Sequence, residues 1–412
     1  MVLVAVLSIA TGLQAEERAI SHEQLIDKLS GFWIGQLLGN YIGYPFENNY
    51  VDEPIPILVD RVYSVPYSGD PPLKMNDRDL RGYVPIICHA LHGAFSDDDT
   101  DIEFVTLHAV ETHGLDITYA EITQEWKAHI NDYIWAANRR ARGLMDEGLI
   151  APDTGRKENN KDWFQIDPQL VNEIWSAFYP GMTALAAERA QWGARITNDD
   201  WGTHPTVAYA AMISAAFFVD DVDSLVQIGI RATPNEGPFA EGIRDVVQWH
   251  EEHDDWRETR IKIHEKYYEY DNGTYKAPVS VISSLQNGLC GIMAILYGEG
   301  DFMKTVGIAT SAGYDCDNQA ATCGGLLGVL NGFRDMGDAA LDITLNIPSR
   351  GSWEKPFNDQ YVNTTRDGLP LRTPISEIVD RIAEIAKIAI LENGGRVETR
   401  GGEPLYIIDC DF

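Results

Sequence analysis

Gly31-Phe32-Trp33-Ile34-Gly35-Gln36-Leu37-Leu38-Gly39-Asn40-Tyr41-Ile42-Gly43 is the stretch on which the fold turns. Positions four apart on a helix share one ridge, so the glycines at 31, 35, 39 and 43 leave a bare groove that lets a second helix come close. Gln36 and Asn40 interrupt the apolar run, which is also too short for a membrane helix pair of this spacing. The ridge runs into Tyr44-Pro45-Phe46-Glu47. Just past Pro45, Glu47 falls in a loop at the helix end, where a lone carboxylate is ordinarily solvated.

Helical periodicity dominates the rest of the chain. Ile378, Ile382, Ile385 and Ala389 form an apolar stripe behind an N-cap at Ser376, with Asn393-Gly394 as the stop. Phe239, Ile243, Val246 and Val247 form a second stripe, and Leu289, Ile292, Met293 and Leu296 a third. Alternation of period two is confined to the C-terminus, where Arg396–Arg400, Gly401-Gly402 and Pro404–Ile408 predict a small hairpin. The polar residues 146–161, with Pro152, Gly155 and Asn159-Asn160, predict a long surface loop. Neither a low-complexity tract nor a repeat of about 20–50 residues is present. The expected architecture is all-α: a single large helical bundle domain over residues 16–412 with a small C-terminal β-hairpin.

Of 412 residues, 44% are hydrophobic, enough to build a large core. Lys and Arg number 32 against 63 Asp and Glu, a net charge of −31. That charge repels phosphate backbones and anionic lipid, so nucleic acid and membrane surfaces are excluded as general partners, and an anionic small molecule needs local compensation. A monomer is the expected state. The five cysteines include no C-x-x-C pair and read as reduced, buried thiols. The apolar run Val2–Leu13 is shorter than the roughly 20 residues of a membrane span and fits the h-region of a signal peptide cleaved after Ala15. No Lys or Arg precedes it, and Leu13 is larger than the usual residue three before the cut, so a short N-terminal helix is the alternative. Cleavage would make the protein secreted or periplasmic; an uncleaved terminus would leave it cytoplasmic.

Two acidic stretches carry chemistry. Ser96-Asp97-Asp98-Asp99-Thr100-Asp101 stands at the start of a helix from Ile102 to about Thr112. Helix capping accounts for one or two such aspartates but not for three in succession. Gly313-Tyr314-Asp315-Cys316-Asp317-Asn318 leads into an Ala- and Gly-rich helix and offers two carboxylates and an amide oxygen. A polar turn capping a tightly packed helix explains it equally well when taken alone. Two unit charges 4 Å apart repel by about 4 kcal/mol at an effective dielectric of 20, so converging aspartates require a cation. Because both stretches open apolar helices far apart in sequence, they suit a dimetal site in a bundle interior. All-oxygen ligation selects Mg2+, with Mn2+ next, over Zn2+ or copper. Cys316 then points away from the metals as a small buried group.

At these residues the sequence resembles the ADP-ribosylglycohydrolase family, dinuclear-magnesium hydrolases whose Gly-rich first helix ends in a G-D-A-x-G-x-P-x-E type of run. Gly39-Asn40-Tyr41-Ile42-Gly43-Tyr44-Pro45-Phe46-Glu47 matches that run, Asp97-Asp98-Asp99-Thr100 the first metal motif, and Gly313–Asn318 the second. Ala208–Phe218 and Phe239–His250 are similar to the family's middle segments, so the resemblance spans roughly residues 25–335. It departs at Asn40, where an acidic residue is usual, and at Asp97, where a hydroxyl is usual unless Ser96-Asp97-Asp98 is the register. Asn198–Pro205 differs from the glycine-rich segment lining the pocket of many relatives.

The resemblance implies hydrolysis of an N- or O-glycosidic bond of an ADP-ribosyl or related ribosyl group by water activated at two Mg2+ ions. It assigns Asp98, Asp99, Asp315, Asp317 and Asn318 as ligands, Asp97 as a weaker candidate, and Glu47 as a further metal-site group or the acid/base. Gly313, Tyr314, Gly202 and His204 are expected near the substrate, and Trp201 is placed to face an adenine. His89, His92, His108 and His113 lack H-E-x-x-H spacing and read as helix-surface or core histidines. Glycoside cleavage needs a leaving-group acid and an activated water, which carboxylates and metal-bound water supply. The alternatives are a metal-dependent phosphohydrolase and a non-catalytic crystallin-like member of the same fold.

Overall fold

The computed structural model describes residues 16–77, 80–336 and 359–412. The expected signal peptide, residues 1–15, lies outside them. Strand β1 (Glu16–Ser21) leads into α1 (His22–Gly43), whose start is fixed by a capping box between Ser21 and Gln24. Then come α2 (Val84–Leu91), α3 (Thr100–His113), α4 (Tyr119–His129), α5 (Ala136–Asp146), α6 (Pro168–Val171) and α7 (Ile174–Phe178). The second half adds α8 (Thr183–Ala194), α9 (His204–Ala215), α10 (Val222–Ala232), α11 (Pro238–Glu252), α12 (Trp256–Tyr267), α13 (Ser284–Gly298), α14 (Phe302–Ser311) and α15 (Cys316–Asn331). Short strands β2 (Tyr361–Val362) and β3 (Arg372–Thr373), then α16 (Ile375–Glu392), β4 (Arg396–Arg400) and β5 (Glu403–Cys410), complete the chain. No helix among the described residues is long and apolar enough to cross a membrane.

The bundle is built around α1 and α15. The predicted glycine ridge meets the Ala/Gly face of α15 backbone to backbone: a Cβ on Gly35 would stand 2.1 Å from the Gly324 carbonyl oxygen, and one on Gly324 would stand 2.1 Å from that of Gly35. No side chain fits between them. At the end of the ridge, a Cβ on Gly43 would lie 2.2 Å from Asp317 Cα, so the last turn of α1 touches the first turn of α15. Helices α13, α14 and α9 pack against α15, and α16 packs on α1. The apolar stripes anticipated in α11, α13 and α16 are buried, Val247 only in part.

Three local expectations are refined. The C-terminal hairpin β4–β5 exists, but β1 adds to it in the order β1-β5-β4, pairing antiparallel from Glu16↔Cys410 to Ser21↔Leu405. Ser376 is not the cap of α16, which starts one residue earlier; instead Asp359 accepts from the Ser376 backbone N–H at 2.8 Å and its hydroxyl at 2.7 Å. Residues 147–161 form a loop, yet Thr154 and Asn160 within it are fully buried. The Asn160 amide donates to the carbonyls of Ala137, Thr154 and Thr197, replacing the pairing that regular structure would provide. All five cysteines are free and buried.

Candidate active site and metal centre

The mouth of the α1–α15 pair is also the start of α3. Tyr41 on α1 pins the segment before α3, donating its hydroxyl to the Phe95 carbonyl (2.6 Å) and accepting from the Phe95 N–H (2.8 Å). Asp97, Asp98 and Asp99 follow directly. Asp99 stands at the N-cap of α3 and Asp315 at that of α15, but neither side chain caps its helix. That removes the capping explanation for both motifs, since the carboxylates are turned into a shared space. There the Asn318 amide donates to Asp99 Oδ1 at 3.3 Å, and the Asn40 amide to Asp99 Oδ2 at 2.8 Å. Carboxylate oxygens of Glu47, Asp315 and Asp317 lie within 4.8 Å of one another. Asn40, the departure from the acidic residue of the family pattern, thus gives this crowded cluster a donor rather than another negative charge.

The electrostatics are severe. Burial, and then the neighbouring carboxylates, push Asp98, Asp99, Asp315 and Asp317 well above the usual aspartate range. Asp97 is raised by burial as well. Asp99 and Asp317 are only 7% and 5% exposed, so water does little to relieve them. Asp97 Oδ1, Asp317 Oδ1 and Asn318 Oδ1 are buried without hydrogen-bond partners. Hard oxygen donors, unsatisfied and mutually repelling around one space, fit a hard divalent cation. The fourth acid of the first motif behaves differently. Asp101 faces away, bonded to Thr365 and to Arg366 Nε (2.7 Å) in an ion pair with both side chains at 0% exposure.

A cavity of about 450 Å3 opens over the cluster. Its lining brings together Glu47, Asp97, Asp98, Asp99, Asp315, Asp317 and Asn318. Glu47 is held at the edge by Arg81 and by the Asn48 amide (2.9 Å).

A model of the ADP-ribosylglycohydrolase family matches residues 21–356. The chain belongs to the ADP-ribosylglycohydrolase family. Its fold resembles a solved ADP-ribosylglycohydrolase-related protein complex with a TM-score of 0.50 and 14% identity, over 88% of this chain and 99% of the other. A search of curated proteins finds no match. ADP-ribosylglycohydrolases are hydrolases, which places this chain in that class.

Four residues expected near substrate lie outside the cavity lining of this family member. Gly313 (φ +79°) turns the chain against the Tyr50 carbonyl. The buried Tyr314 hydroxyl pairs with His264 Nδ1 at 2.6 Å, and the Arg260 guanidinium sits 4.0 Å over its ring. Gly202 packs on the Trp163 carbonyl, and His204 is buried beside Gly237, its pKa lowered to about 4 by burial. Trp201 is likewise a core residue, edge-on to Trp163. Trp201 and His204 thus anchor the divergent segment in the interior, while Asp200 stays exposed in an ion pair with Lys157.

The cavity uses residues that sequence reasoning missed. Tyr133 and Trp135 stand at its edge, 57% and 45% exposed. Asp167 lines it too, accepting from the Asn138 N–H at 3.1 Å, with its pKa raised by burial to about 7. The Asp167-Pro168 dipeptide marked a helix start, but the four-residue α6 is too short to leave a periodic signal. Arg366 left no local signal at all.

Beneath the site, Gln36 on α1 donates to Glu173 Oε2 at 3.3 Å, and the Ile174 N–H donates to Glu103 Oε1 at 2.6 Å. Burial raises Glu173 to about 8, and burial with the charge of Glu173 raises Glu103 well above the usual range. A carboxyl whose folded pKa exceeds its unfolded value contributes stability below the unfolded pKa and loses it as pH rises through the folded one. Glu173→Gln should therefore leave stability unchanged near pH 4 and raise it by on the order of 3 kcal/mol above pH 8, flattening the acid-side slope. Thermal melts of both proteins across that range test this; parallel curves would rule it out.

Proposed function

We propose that the chain hydrolyses an N- or O-glycosidic bond of an ADP-ribosyl or related ribosyl group at a dinuclear Mg2+ centre. The observation that supports this is the convergence of Asp97–Asp99, Asp315–Asn318 and Glu47 in one cavity. Asp98, Asp99, Asp315, Asp317 and the Asn318 amide oxygen are the groups to hold two hard divalent ions, with Mn2+ as substitute and Asp97 as a further ligand. When bound, such ions neutralise the carboxylates and make a coordinated water more acidic.

The chain's own groups do the rest. Glu47 sits at the cavity edge, where a carboxylate can pass a proton to the leaving group or take one from water. Its ion pair with Arg81 sets its orientation before substrate arrives. Asp167, titrating near neutrality, is the second carboxyl able to move a proton there. The five carboxylates Glu47, Asp98, Asp99, Asp315 and Asp317 against two Mg2+ leave a residual charge of about −1, low enough to admit an anionic nucleotide. Its base rests on Tyr133 or Trp135 at the cavity edge.

The test is a panel of ADP-ribosyl-arginine, ADP-ribosyl-serine and O-acetyl-ADP-ribose with Mg2+. Free ADP-ribose from one of them is the expected product, and chelation should abolish both turnover and binding. AMP or phosphate as the product would replace this reading with phosphohydrolysis. Tight ADP-ribose binding after complete metal removal would break the link between ions and nucleotide.

A further inference from the structure

Outside the cavity lining, on α3 and α4, lies a cluster whose His108 and His113 the sequence reading took as helix-surface or core histidines. His108 and His113 are on α3; Glu125 and His129 are one turn apart on α4 and share a face. The ligand atoms of His108, Glu125 and His129 lie within 4.8 Å of one another. We propose that these three side chains form a second metal site, with nitrogen-rich chemistry, that takes a divalent transition metal of the Zn2+ type.

The hydrogen bonds around the cluster carry the argument. His129 Nδ1 is 2.6 Å from the Asp367 carbonyl oxygen, a contact in which only an N–H can donate. The neutral ring therefore has a bare Nε2, and that lone pair faces Glu125 Oε2 at 3.2 Å. Two acceptors at that distance need a positive centre between them. A proton would serve this one pair. His108 Nε2, however, converges on the same Oε2 at 3.7 Å, too far for a hydrogen bond. Bonds of about 2.0–2.1 Å at a tetrahedral angle put ligand atoms roughly 3.3 Å apart, so one ion satisfies all three groups where a proton satisfies two.

The outer partners match as well. Histidine ligands commonly donate their other ring N–H to a carbonyl, as His129 does, and ligating carboxylates are themselves hydrogen-bonded. Here the second oxygen of Glu125, Oε1, takes His113 Nε2 at 2.8 Å. The His108 side chain is 36% exposed, leaving a route in from solvent and a fourth position for water. Two imidazoles and one carboxylate favour Zn2+ over the Mg2+ suited to the acidic cavity. The Asp367 carbonyl that orients His129 adjoins Arg366, so an ion here would also fasten the segment that holds the first acidic motif.

The experiment uses the full chain, stripped of metal and then saturated with Mg2+ to fill the acidic cavity. Calorimetric titration with Zn2+ should show one further ion per chain, and Co2+ in its place should give the intense visible absorption of a low-coordinate nitrogen site. His108→Ala and Glu125→Gln, each checked for a native melt, should weaken Zn2+ about 10–100-fold or more. Asp317→Ala should keep this site intact. Absence of Zn2+ binding above Mg2+, an affinity unchanged in both His108→Ala and Glu125→Gln, or loss of the site in a folded Asp317→Ala would each overturn the proposal.

Discussion

Asp317→Ala is expected to lower kcat/KM by about 10^3-fold or more, the scale of about 4 kcal/mol of transition-state stabilisation lost with a metal ligand. The fold should survive, because Asp317 contributes strain rather than cohesion when no cation is bound. Its carboxylate is pushed well above the aspartate range by burial and by Glu47, Asp315 and Asp99. The sign follows from linkage: a raised folded pKa costs stability as pH rises above the unfolded value. The metal-free variant should therefore melt above the metal-free parent at neutral pH, and the two should converge in acid. Adding Mg2+ should raise the parent's Tm and leave the variant's nearly unmoved. Calorimetric scans with and without Mg2+, beside the turnover assay, measure all three effects. A variant with parental turnover would remove the acidic cavity from the chemistry.

Arg366→Ala should be the most destabilising single change at the site, by about 3–5 kcal/mol, because it leaves a fully buried Asp101 uncompensated. The loss extends beyond one ion pair. The same guanidinium donates to the carbonyls of Asp97 (2.8 Å), Asp132 (3.0 Å) and Tyr133 (2.8 Å). It thus ties the first acidic motif to the aromatic edge of the cavity, and its removal frees both. Activity should fall together with Tm. Replacing both partners, as Asp101→Asn with Arg366→Met, should recover much of the stability without the activity, since no buried charge then remains unpaired. Denaturant unfolding of the single and double variants separates the two effects; equal stability of Arg366→Ala and the parent would contradict the account.

Features written in local pattern were legible in the sequence. The glycines of α1 fixed a close helix crossing, three apolar stripes marked helices, and two runs of aspartate marked residues that line one cavity. The hairpin of β4 and β5 was visible in its Gly401-Gly402 turn. β1 was not, because Glu16–Arg18 are charged and the strand shows no alternation; it forms only because β5 offers an edge. Arg366 reaches the site through a fold of the chain with no short-range signature, and Asp167 heads a helix too short to show a periodic one. Gly202 and His204 lie in the divergent segment and Gly313 and Tyr314 open the second motif, yet all four pack into the interior. The histidines of α3 read as bland singly, and only the packing of α4 against α3 makes a constellation of them.

The backbone-to-backbone seam between α1 and α15 has a mechanical consequence. With no side chains between them, the two helices cannot slide by swapping rotamers, so they move as one beam. Asn40 and Glu47 at the end of one, and Asp315 to Asn318 at the start of the other, therefore keep their spacing whatever occupies the cavity. Adaptation to guests of different shape falls to the opposite bank, where Tyr133, Trp135 and the start of α5 face the beam. Efforts to retarget such an enzyme belong on that bank, and changes to the glycine seam would jam the instrument rather than retune it.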